Sequence, residues 1–438
     1  MDKLAKWCIW LRRRSFFRVA QRTFAVLMPI ATVGAFFQVL QYSVFAPESF
    51  IYNLFDFDKI MSDRFWDIGT RLSQCVVEVI FGLFCLFTVY FSASFTAKIY
   101  RKDATMAGIS ALTSLLVMIY LFQLGLTGWI SLLTGGYLGF QYTSFALLLG
   151  YGVGQVFHWL GADYESVNYE NTKLVQDRAI KALKPTLVTV IGGIAIGGIL
   201  YVVISKVKAN FSLTSIVSPV ENSNNLLLTV PATALASFLS WLGLEAPILD
   251  LSMSNVAGSA AATANLTYVL RRGSVWKVPY PYLGGSMISI YGVMGGCGAI
   301  LALAVAILIG GRRKERETVA KMNLWPLLFS SSRGFLVGLP VILNPIYALQ
   351  LVLVPVVNML IAALAIFLHI VPTPVYTVLT GTPGPLVPFF STNGNWPTLI
   401  FTIFLFCLDV VMMIPAVKLD NRTKILLKDY EMEDDRHV

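Results

Sequence analysis

Long runs of apolar residues, separated by short polar loops, are the main pattern along this chain. A transmembrane helix needs ~20 apolar residues in succession, and eight runs reach or approach that length. These runs cover residues 24–45, 75–97, 104–121, 140–160, 185–204, 226–249, 341–369 and 397–417. The pattern predicts an all-α, polytopic integral membrane protein.

Two further apolar stretches are broken by Gly, Pro and Ser, over residues 279–310 and 324–340. Irregular backbone at membrane depth is stable only where protein or a water-filled cavity covers it. Transporters build their substrate sites from such discontinuous segments. The two stretches are therefore predicted to be re-entrant hairpins or split helices.

Composition supports the membrane class. The chain has 438 residues, of which 56% are hydrophobic and 13% are charged, and its mean hydropathy is +0.70. Ordinary globular domains carry about 25% charged residues, so this chain lacks the charge to cover a water-facing surface of its size. A soluble multidomain enzyme, a disordered chain, a coiled coil and a disulfide scaffold are all excluded.

The net charge of +9 comes from basic residues in short loops, a distribution typical of membrane topology rather than of nucleic-acid binding. Such loops face the cytoplasm, as does the basic tail, so both termini are predicted to be cytoplasmic. The loop residues are Lys98, Arg101 and Lys102; Lys173, Arg178, Lys181 and Lys184; Arg271, Arg272 and Lys277; and Arg312, Arg313, Lys314 and Arg316. Both flanks of residues 279–310 are then cytoplasmic, and the stretch either crosses twice or folds back.

Motifs of soluble enzymes are absent from the sequence. The five cysteines form no CxxC pair and no Cys/His cluster, so neither a metal site nor a cofactor is expected. His158 and His369 each stand alone near the end of an apolar run, which favours an interfacial role over a phosphoryl acceptor. Gly193 and Gly197 form a small-xxx-small face that is typical of close helix packing.

Four ionisable residues lie inside apolar stretches, where each costs roughly 2.5–3.5 kcal/mol on insertion scales. Glu78 lies near a helix end, and its side chain can extend toward water. A hydrogen bond between helices explains Asp409 as well as a functional site does, and Glu245 is either an interfacial carboxylate or a functional one. Arg333 follows three serines at residues 330–332, and this polar insert favours an internal hydrophilic site.

Residues 338–346 read GLPVILNPI and closely resemble the lactose/cellobiose/chitobiose class of enzyme IIC, the membrane permease component of the bacterial phosphotransferase system. Further segments resemble the same family in order and spacing. They are LGGS at 283–286, WLGL at 241–244, VPTP at 371–374, the loop at 380–385, NW at 395–396 and the segment 95–112. The resemblance therefore extends over most of the chain.

The resemblance implies a dimer with about ten transmembrane helices and two re-entrant hairpins. It implies a dimerisation part at residues 1–220, a substrate-binding part at 221–420 and a cytoplasmic tail at 421–438. The implied partners are a sugar, membrane lipid and a separate enzyme IIB that is phosphorylated by enzyme IIA. The implied sugar-binding residues are Glu245, Ser332, Arg333, Asn344, Gly284, Gly285, Ser286, Thr382 and Trp396.

Two substitutions depart from the family pattern. Arg333 stands where the family has its key glutamate, and Glu245 stands where it has a conserved histidine. Arginine stays protonated in proteins and cannot act as a general base, so the catalytic residues are unknown. Either Glu245 and Arg333 form a buried ion pair, or Arg333 binds a phosphate or carboxylate of a different substrate.

The leading hypothesis is a permease in the bacterial cytoplasmic membrane that moves a disaccharide or oligosaccharide by alternating access, coupled in the family to phosphorylation. The alternative is a sugar sensor or receptor that keeps the enzyme IIC fold without transport or phosphorylation. A permease uncoupled from phosphorylation is a third possibility.

Overall fold

A computed structural model describes residues 2–127, 136–163, 172–207, 219–244 and 259–434. The α-helices in this part of the chain are α1 (Asp2–Arg13), α2 (Ser15–Val39), α3 (Phe50–Leu54), α4 (Phe57–Ile60), α5 (Asp63–Gly82), α6 (Phe84–Ile99), α7 (Ala104–Thr127), α8 (Thr143–Leu160), α9 (Thr172–Val207), α10 (Leu226–Trp241), α11 (Ala260–Arg272), α12 (Gly284–Ser286), α13 (Gly298–Gly310), α14 (Lys314–Leu328), α15 (Arg333–Gly338), α16 (Pro345–Phe367), α17 (Val387–Ser391) and α18 (Trp396–Asp434). Two π-helical segments, Leu40–Val44 and Met287–Gly292, extend α2 and α12.

The predicted all-α membrane class is confirmed. Within the described ranges six helical segments are long and apolar enough to cross a membrane, and two shorter apolar helices, α10 and α13, accompany them. The six segments are Ser15–Val44, Asp63–Ile99, Ala104–Gly125, Gln176–Val203, Pro345–Phe367 and Trp396–Thr423. The same part of the chain contains no strand, and its one isolated bridge joins Ser49 to Thr380.

The chain forms two compact units. The large unit comprises Met1–Trp10, Met28–Val77 and Ser212–Val438, and the small unit comprises Leu11–Leu27 and Glu78–Phe211. All the predicted sugar-binding residues belong to the large unit by sequence. The region 28–77 also belongs to the large unit, although it lies far from the rest of that unit along the chain.

The small unit is built from α6, α7, α8 and α9, which approach one another at small residues. Gly193 and Gly197 lie against α7, where an added Cβ would meet Ser114 or come within 3.1 Å of the Cα of Met118. The predicted packing role of this glycine pair is therefore confirmed. A buried ion pair between Asp103 and Arg178 ties the start of α7 to α9.

In the large unit, the stretch 279–310 crosses the helix bundle once. On one flank, the Trp276 ring stacks on His369 beyond the C-terminal end of α16, with centroids 6.3 Å apart and planes at 14°. On the other flank, Arg316 donates a hydrogen bond to Tyr347 near the N-terminal end of α16. Because α16 has 23 residues, these ends are about 34 Å apart. The expectation that both flanks lie on one side is therefore wrong, since a count of basic residues cannot detect such long-range contacts.

Residues 314–344 form a re-entrant hairpin, here called hairpin 1, as predicted for the stretch 324–340. Helix α14 leads into the unit, residues 329–332 form the tip, and α15 leads back. Both ends of the hairpin lie at the N-terminal end of α16, because Arg316 contacts Tyr347 and Asn344 caps α16.

A second hairpin, residues 375–391, enters from the opposite end of α16 and is here called hairpin 2. Its base is closed by the backbone N–H groups of Val375 and Tyr376, which donate to the carbonyl of Ser391 at 2.9 and 3.0 Å. Gly381 adopts a left-handed conformation near the tip, with φ of 67°. The hydrophobic pattern did not predict this hairpin, because its apolar runs are too short.

Candidate functional site

The tips of the two hairpins meet at the break in the crossing that runs from α12 to α13. The Ser330 hydroxyl at the tip of hairpin 1 lies 3.5 Å from the carbonyl oxygen of Thr382 in hairpin 2. An added Cβ on Gly384 would lie 2.7 Å from the carbonyl oxygen of Met294 in the break. We call Met294, Ser330, Thr382 and Gly384 the tip junction. Three discontinuous segments at one place are the usual construction of a transport site.

The break itself is a run of left-handed backbone. Met294, Gly295 and Gly296 have φ of 44°, 71° and 94°. Glycine is required at 295 for conformation and also for space, because a Cβ there would lie 3.0 Å from Val387 and 3.4 Å from the Ser330 hydroxyl. The preceding π-helical segment is itself a feature found frequently at functional sites.

The tip of hairpin 1 is bound to α2. The Ser331 hydroxyl donates to the side-chain oxygen of Gln38 at 2.8 Å and contacts the carbonyl of Ala35 at 3.2 Å. Gly334 lies close to the same helix, since an added Cβ would be 2.9 Å from the Cβ of Ala35. Ser331 and Gln38 are buried. Sequence reasoning missed Gln38, although a polar residue inside the apolar run 24–45 was a usable signal.

Ser332 and Arg333 occupy the edge of this tip. The Ser332 carbonyl accepts the N–H of Leu336 at 3.0 Å, and the Ser332 side chain lies near the thiol of Cys297 at the start of α13. Arg333 is the first residue of α15 and is half-buried. The predicted polar insert thus lies inside the large unit, next to the break in the crossing.

Asn344 has a structural role in the fold. Its side-chain oxygen accepts the N–H of Ile346 at 3.3 Å, which caps α16. Its side-chain nitrogen donates to the carbonyl of Pro340 at 3.1 Å, and its own carbonyl accepts the indole N–H of Trp241 at 2.9 Å. Because both ends of its amide are engaged, Asn344 positions the start of α16 and the end of α10.

The LGGS segment packs directly against the region around α10. Gly284 donates its N–H to the carbonyl of Ser223 at 2.8 Å, and an added Cβ would clash with the Val220 carbonyl and lie 2.7 Å from a methyl carbon of Thr229. Gly285 has more room, with its nearest neighbour at 3.7 Å. The Ser286 hydroxyl is buried and has no hydrogen-bond partner among the described residues.

Thr382 and Trp396 differ in exposure. Thr382 is buried, and its hydroxyl donates to the carbonyl of Leu379 at 2.7 Å. Trp396 is 67% exposed at the start of α18, with its ring 5.5 Å from that of Phe389. Its exposure fits both an interfacial aromatic and a sugar-stacking surface.

The other predicted residues are distributed as follows. Asp409 is fully buried and accepts a hydrogen bond from the Asn358 amide at 3.0 Å, which joins α18 to α16. Glu78 is exposed. The His158 ring stacks on Tyr100 at 3.8 Å. Glu245 lies outside the described residues, so its pairing with Arg333 remains a prediction.

The chemistry of the tip junction is that of hydroxyls and backbone amides and carbonyls. Such groups bind polar ligands through hydrogen bonds, and the surrounding apolar side chains exclude water. In the described ranges no group of three or more His, Cys, Asp or Glu side chains could hold a metal ion.

No family model matches the chain, but individual proteins do. It is 25% identical over 269 residues to the cellobiose-specific EIIC component of the phosphotransferase system (PTS) of Lactococcus lactis subsp. lactis (strain IL1403). This match covers 56% of the chain but only about half of that relative, 53%. The chain is also 23% identical over 397 residues to the oligo-beta-mannoside-specific EIIC component of Bacillus subtilis (strain 168), covering 89% of the chain and 84% of the relative.

A solved structure also aligns with the chain. It is the transporter ChbC, the IIC component of the N,N'-diacetylchitobiose-specific phosphotransferase system, at 18% identity and a TM-score of 0.41, covering 95% of this chain and 96% of that one. The sequence matches confirm the resemblance found in the motifs. The chain is similar, over most of its length, to the enzyme IIC membrane components of the bacterial phosphotransferase system, lactose/cellobiose/chitobiose class.

Proposed function

We propose that the chain is a sugar permease of the enzyme IIC type that binds a disaccharide or oligosaccharide and carries it across the cytoplasmic membrane. The observation that carries this proposal is the tip junction. Two hairpins that enter from opposite ends of α16 meet there at a break in a crossing segment. Short segments of this kind can expose a site first to one side of a membrane and then to the other.

Sugar binding is assigned to the large unit. Ser332 and Arg333 at the tip of hairpin 1, Thr382 in hairpin 2 and the buried hydroxyl of Ser286 offer hydrogen-bonding groups. The exposed ring of Trp396 offers a stacking surface. Gly284, Gly285 and Asn344 hold the backbone in place around these groups, and Glu245 supplies a carboxylate from the segment after α10. The names of the relatives, which specify cellobiose and oligo-beta-mannosides, support a β-linked substrate.

The same names support a phosphotransferase partnership, with enzyme IIB and enzyme IIA as separate proteins. In this reading the sugar is phosphorylated at the cytoplasmic side as it is delivered. Arg333 cannot accept the proton of the reacting hydroxyl, so Glu245 is the residue proposed for that step.

The structure also supports a proposed orientation and a proposed assembly. The Asn421 amide donates to the carbonyl of Gly310 at 2.9 Å, and Cys8 belongs to the same buried cluster as Ile307 and Val417. The basic loop after α13 and the tail therefore share one end of the large unit, and the N-terminal helix belongs to the core of the same unit. By the positive-inside rule we assign that end, with both termini, to the cytoplasm.

We further propose that the small unit contacts a second copy of the chain through α9. Only 17% of the apolar membrane-spanning stretch of α9 is buried, against 39–44% for the other spans. An added Cβ would meet no atom within 4 Å at Gly192 or Gly198. A small-residue face open on one side allows close approach of another helix.

Uptake of radiolabelled cellobiose into proteoliposomes, with and without phosphorylated enzyme IIB, tests the function. A coupled permease accumulates sugar phosphate only when enzyme IIB is present, whereas an uncoupled one equilibrates free sugar. Sugar binding without uptake in either condition would contradict transport and identify a sensor. Failure to bind cellobiose, mannobiose or lactose would contradict the proposal altogether.

A further inference from the structure

A buried cluster of charged side chains lies at the end of the large unit where α13 stops. Asp420 comes from α18, Arg316 from the first turn of α14, and Arg313 from the residue that precedes α14. The exposed fractions of their side chains are 4%, 13% and 15%. Burial at this level makes the balance of charge within the cluster important, because water screens it poorly.

Arg316 contacts two neighbouring side chains, Asp420 and Tyr347. One of its guanidinium nitrogens contacts the Asp420 carboxylate and also donates to the hydroxyl of Tyr347. The guanidinium carbon lies 5.9 Å from the centre of the Tyr347 ring. These contacts join α14, α16 and α18 at the base of hairpin 1.

Arg313 is poorly satisfied by comparison. Its Nε lies 3.7 Å from the nearer oxygen of Asp420, which is too long for a hydrogen bond. That nitrogen is buried and has no hydrogen-bond partner among the described residues. Burial lowers the pKa of the Arg313 side chain below its ordinary value, and the neighbouring charge of Asp420 offsets part of that effect.

Basic residues outnumber acidic ones in the described segments around the cluster. Residues 312–317 and 418–422 contain six basic and three acidic side chains. Of the acidic ones only Asp420 is buried, whereas Glu315, which also acts on Arg313, is exposed. The cluster therefore carries two buried guanidinium groups against one buried carboxylate. A buried charge without compensation is destabilising unless an oppositely charged group binds it.

We propose that Arg313 and Arg316 form a binding site for a phosphate group, supplied either by an anionic lipid headgroup or by a phosphate monoester in solution. A phosphate offers several acceptor oxygens, and the planar guanidinium fork matches its geometry. Basic pockets between membrane helices on the cytoplasmic side bind anionic headgroups in this way. The site is separate from the tip junction and does not depend on the proposed sugar transport.

The test uses the full-length protein in a non-ionic detergent, with melting followed by tryptophan fluorescence. Inorganic phosphate is titrated while sodium chloride keeps the ionic strength constant. Wild type is expected to show a saturable rise in melting temperature. Arg313→Gln should raise the phosphate concentration at half effect by about tenfold, the loss of one charge-assisted hydrogen bond. Arg312→Gln is the matched control, because this neighbour is exposed, and it should respond like wild type.

A second arm distinguishes the two sources of phosphate. Melting is repeated in nanodiscs of phosphatidylglycerol and of phosphatidylcholine. Stabilisation by inorganic phosphate that depends on Arg313 supports a site open to soluble phosphate. Stabilisation by phosphatidylglycerol alone, also dependent on Arg313, supports a headgroup site. The same shift in wild type and Arg313→Gln, or no shift with either phosphate source, would overturn the proposal.

Arg313→Lys provides a second variant in case Arg313→Gln does not fold. It keeps the charge and loses the fork, so it should bind phosphate more weakly than wild type but more tightly than Arg313→Gln. If neither variant folds, the wild-type titration alone tests whether phosphate binds. A melting shift no larger than that produced by chloride at equal ionic strength would contradict the site.

Discussion

Ser331 donates its hydroxyl to the side-chain oxygen of Gln38 at 2.8 Å, and this bond joins the tip of hairpin 1 to α2. Ser331→Ala leaves that buried oxygen without its donor, so we expect a loss of about 1–3 kcal/mol in the free energy of unfolding. The melting temperature in detergent measures the effect. Ser330→Ala is the control. Its contact with Thr382 is long, at 3.5 Å, so its loss should change the melting temperature little.

Gly334 marks the closest approach of hairpin 1 to its surroundings. An added Cβ would lie 2.5 Å from the side-chain oxygen of Asn323 and 2.9 Å from the Cβ of Ala35. Gly334→Ala is therefore expected to destabilise the large unit by about 1–3 kcal/mol, as overpacking does. Gly285→Ala, whose nearest neighbour is 3.7 Å away, should melt like wild type. Equal melting temperatures for the two variants would contradict the close packing.

The ion pair between Asp103 and Arg178 is a buried polar anchor in the small unit. The pair is buried, and Arg178 also donates to the second carboxylate oxygen at 2.5 Å. Arg178→Gln leaves the carboxylate uncompensated, which typically costs about 3–5 kcal/mol. Arg71→Gln removes an exposed partner of Asp67 and should have no measurable effect on melting. A small loss for Arg178→Gln would show that the small unit does not need the pair.

Asn358 and Asp409 test whether a buried carboxylate is structural or functional. Asn358→Ala should destabilise the packing of α16 and α18 by about 1–3 kcal/mol, because it removes the donor to Asp409. Replacing both residues by Leu removes the polar pair together and should restore most of that loss. If the double variant is stable but no longer transports sugar, Asp409 has a functional role beyond packing.

Glu245 and Arg333 stand where the family pattern that the sequence resembles has a histidine and a glutamate. If they pair in the sugar site, the losses from Glu245→Gln and Arg333→Gln are not additive, with a coupling of about 0.5–3 kcal/mol. Melting temperature and sugar affinity of the two single variants and the double variant measure that coupling. Additive losses in both readouts would favour a separate role for Arg333, such as binding an anionic group on the substrate.

The membrane class and hairpin 1 were predictable from the sequence for physical reasons. Apolar runs of helical length can only be buried in lipid or protein, and the serines before Arg333 interrupt such a run. The sidedness of residues 279–310 was not predictable in the same way. A cytoplasmic loop would carry charges like those of Arg271, Arg272 and Lys277. The stacking of Trp276 on His369, however, places this loop at the C-terminal end of α16, opposite to the basic loop after α13.

Hairpin 2 and the role of Asn344 show a second limit. Residues 375–391 are held by a few backbone hydrogen bonds at the base and by contacts with distant segments, and neither produces a periodic pattern. Asn344 was predicted to bind sugar because a motif contains it. Its amide also caps α16 and donates to the carbonyl of Pro340, contacts that the motif alone does not indicate.

The bond between Ser331 and Gln38 has a consequence for biogenesis. Its two residues are separated by 293 positions in the sequence. At a synthesis rate of about 5–20 residues per second, α2 enters the membrane roughly 15–60 s before its partner leaves the ribosome. During that interval Gln38 lies in an apolar helix without the hydroxyl that satisfies it. The large unit is therefore completed late in synthesis, after α2 has already been inserted into the membrane without its hydrogen-bond partner.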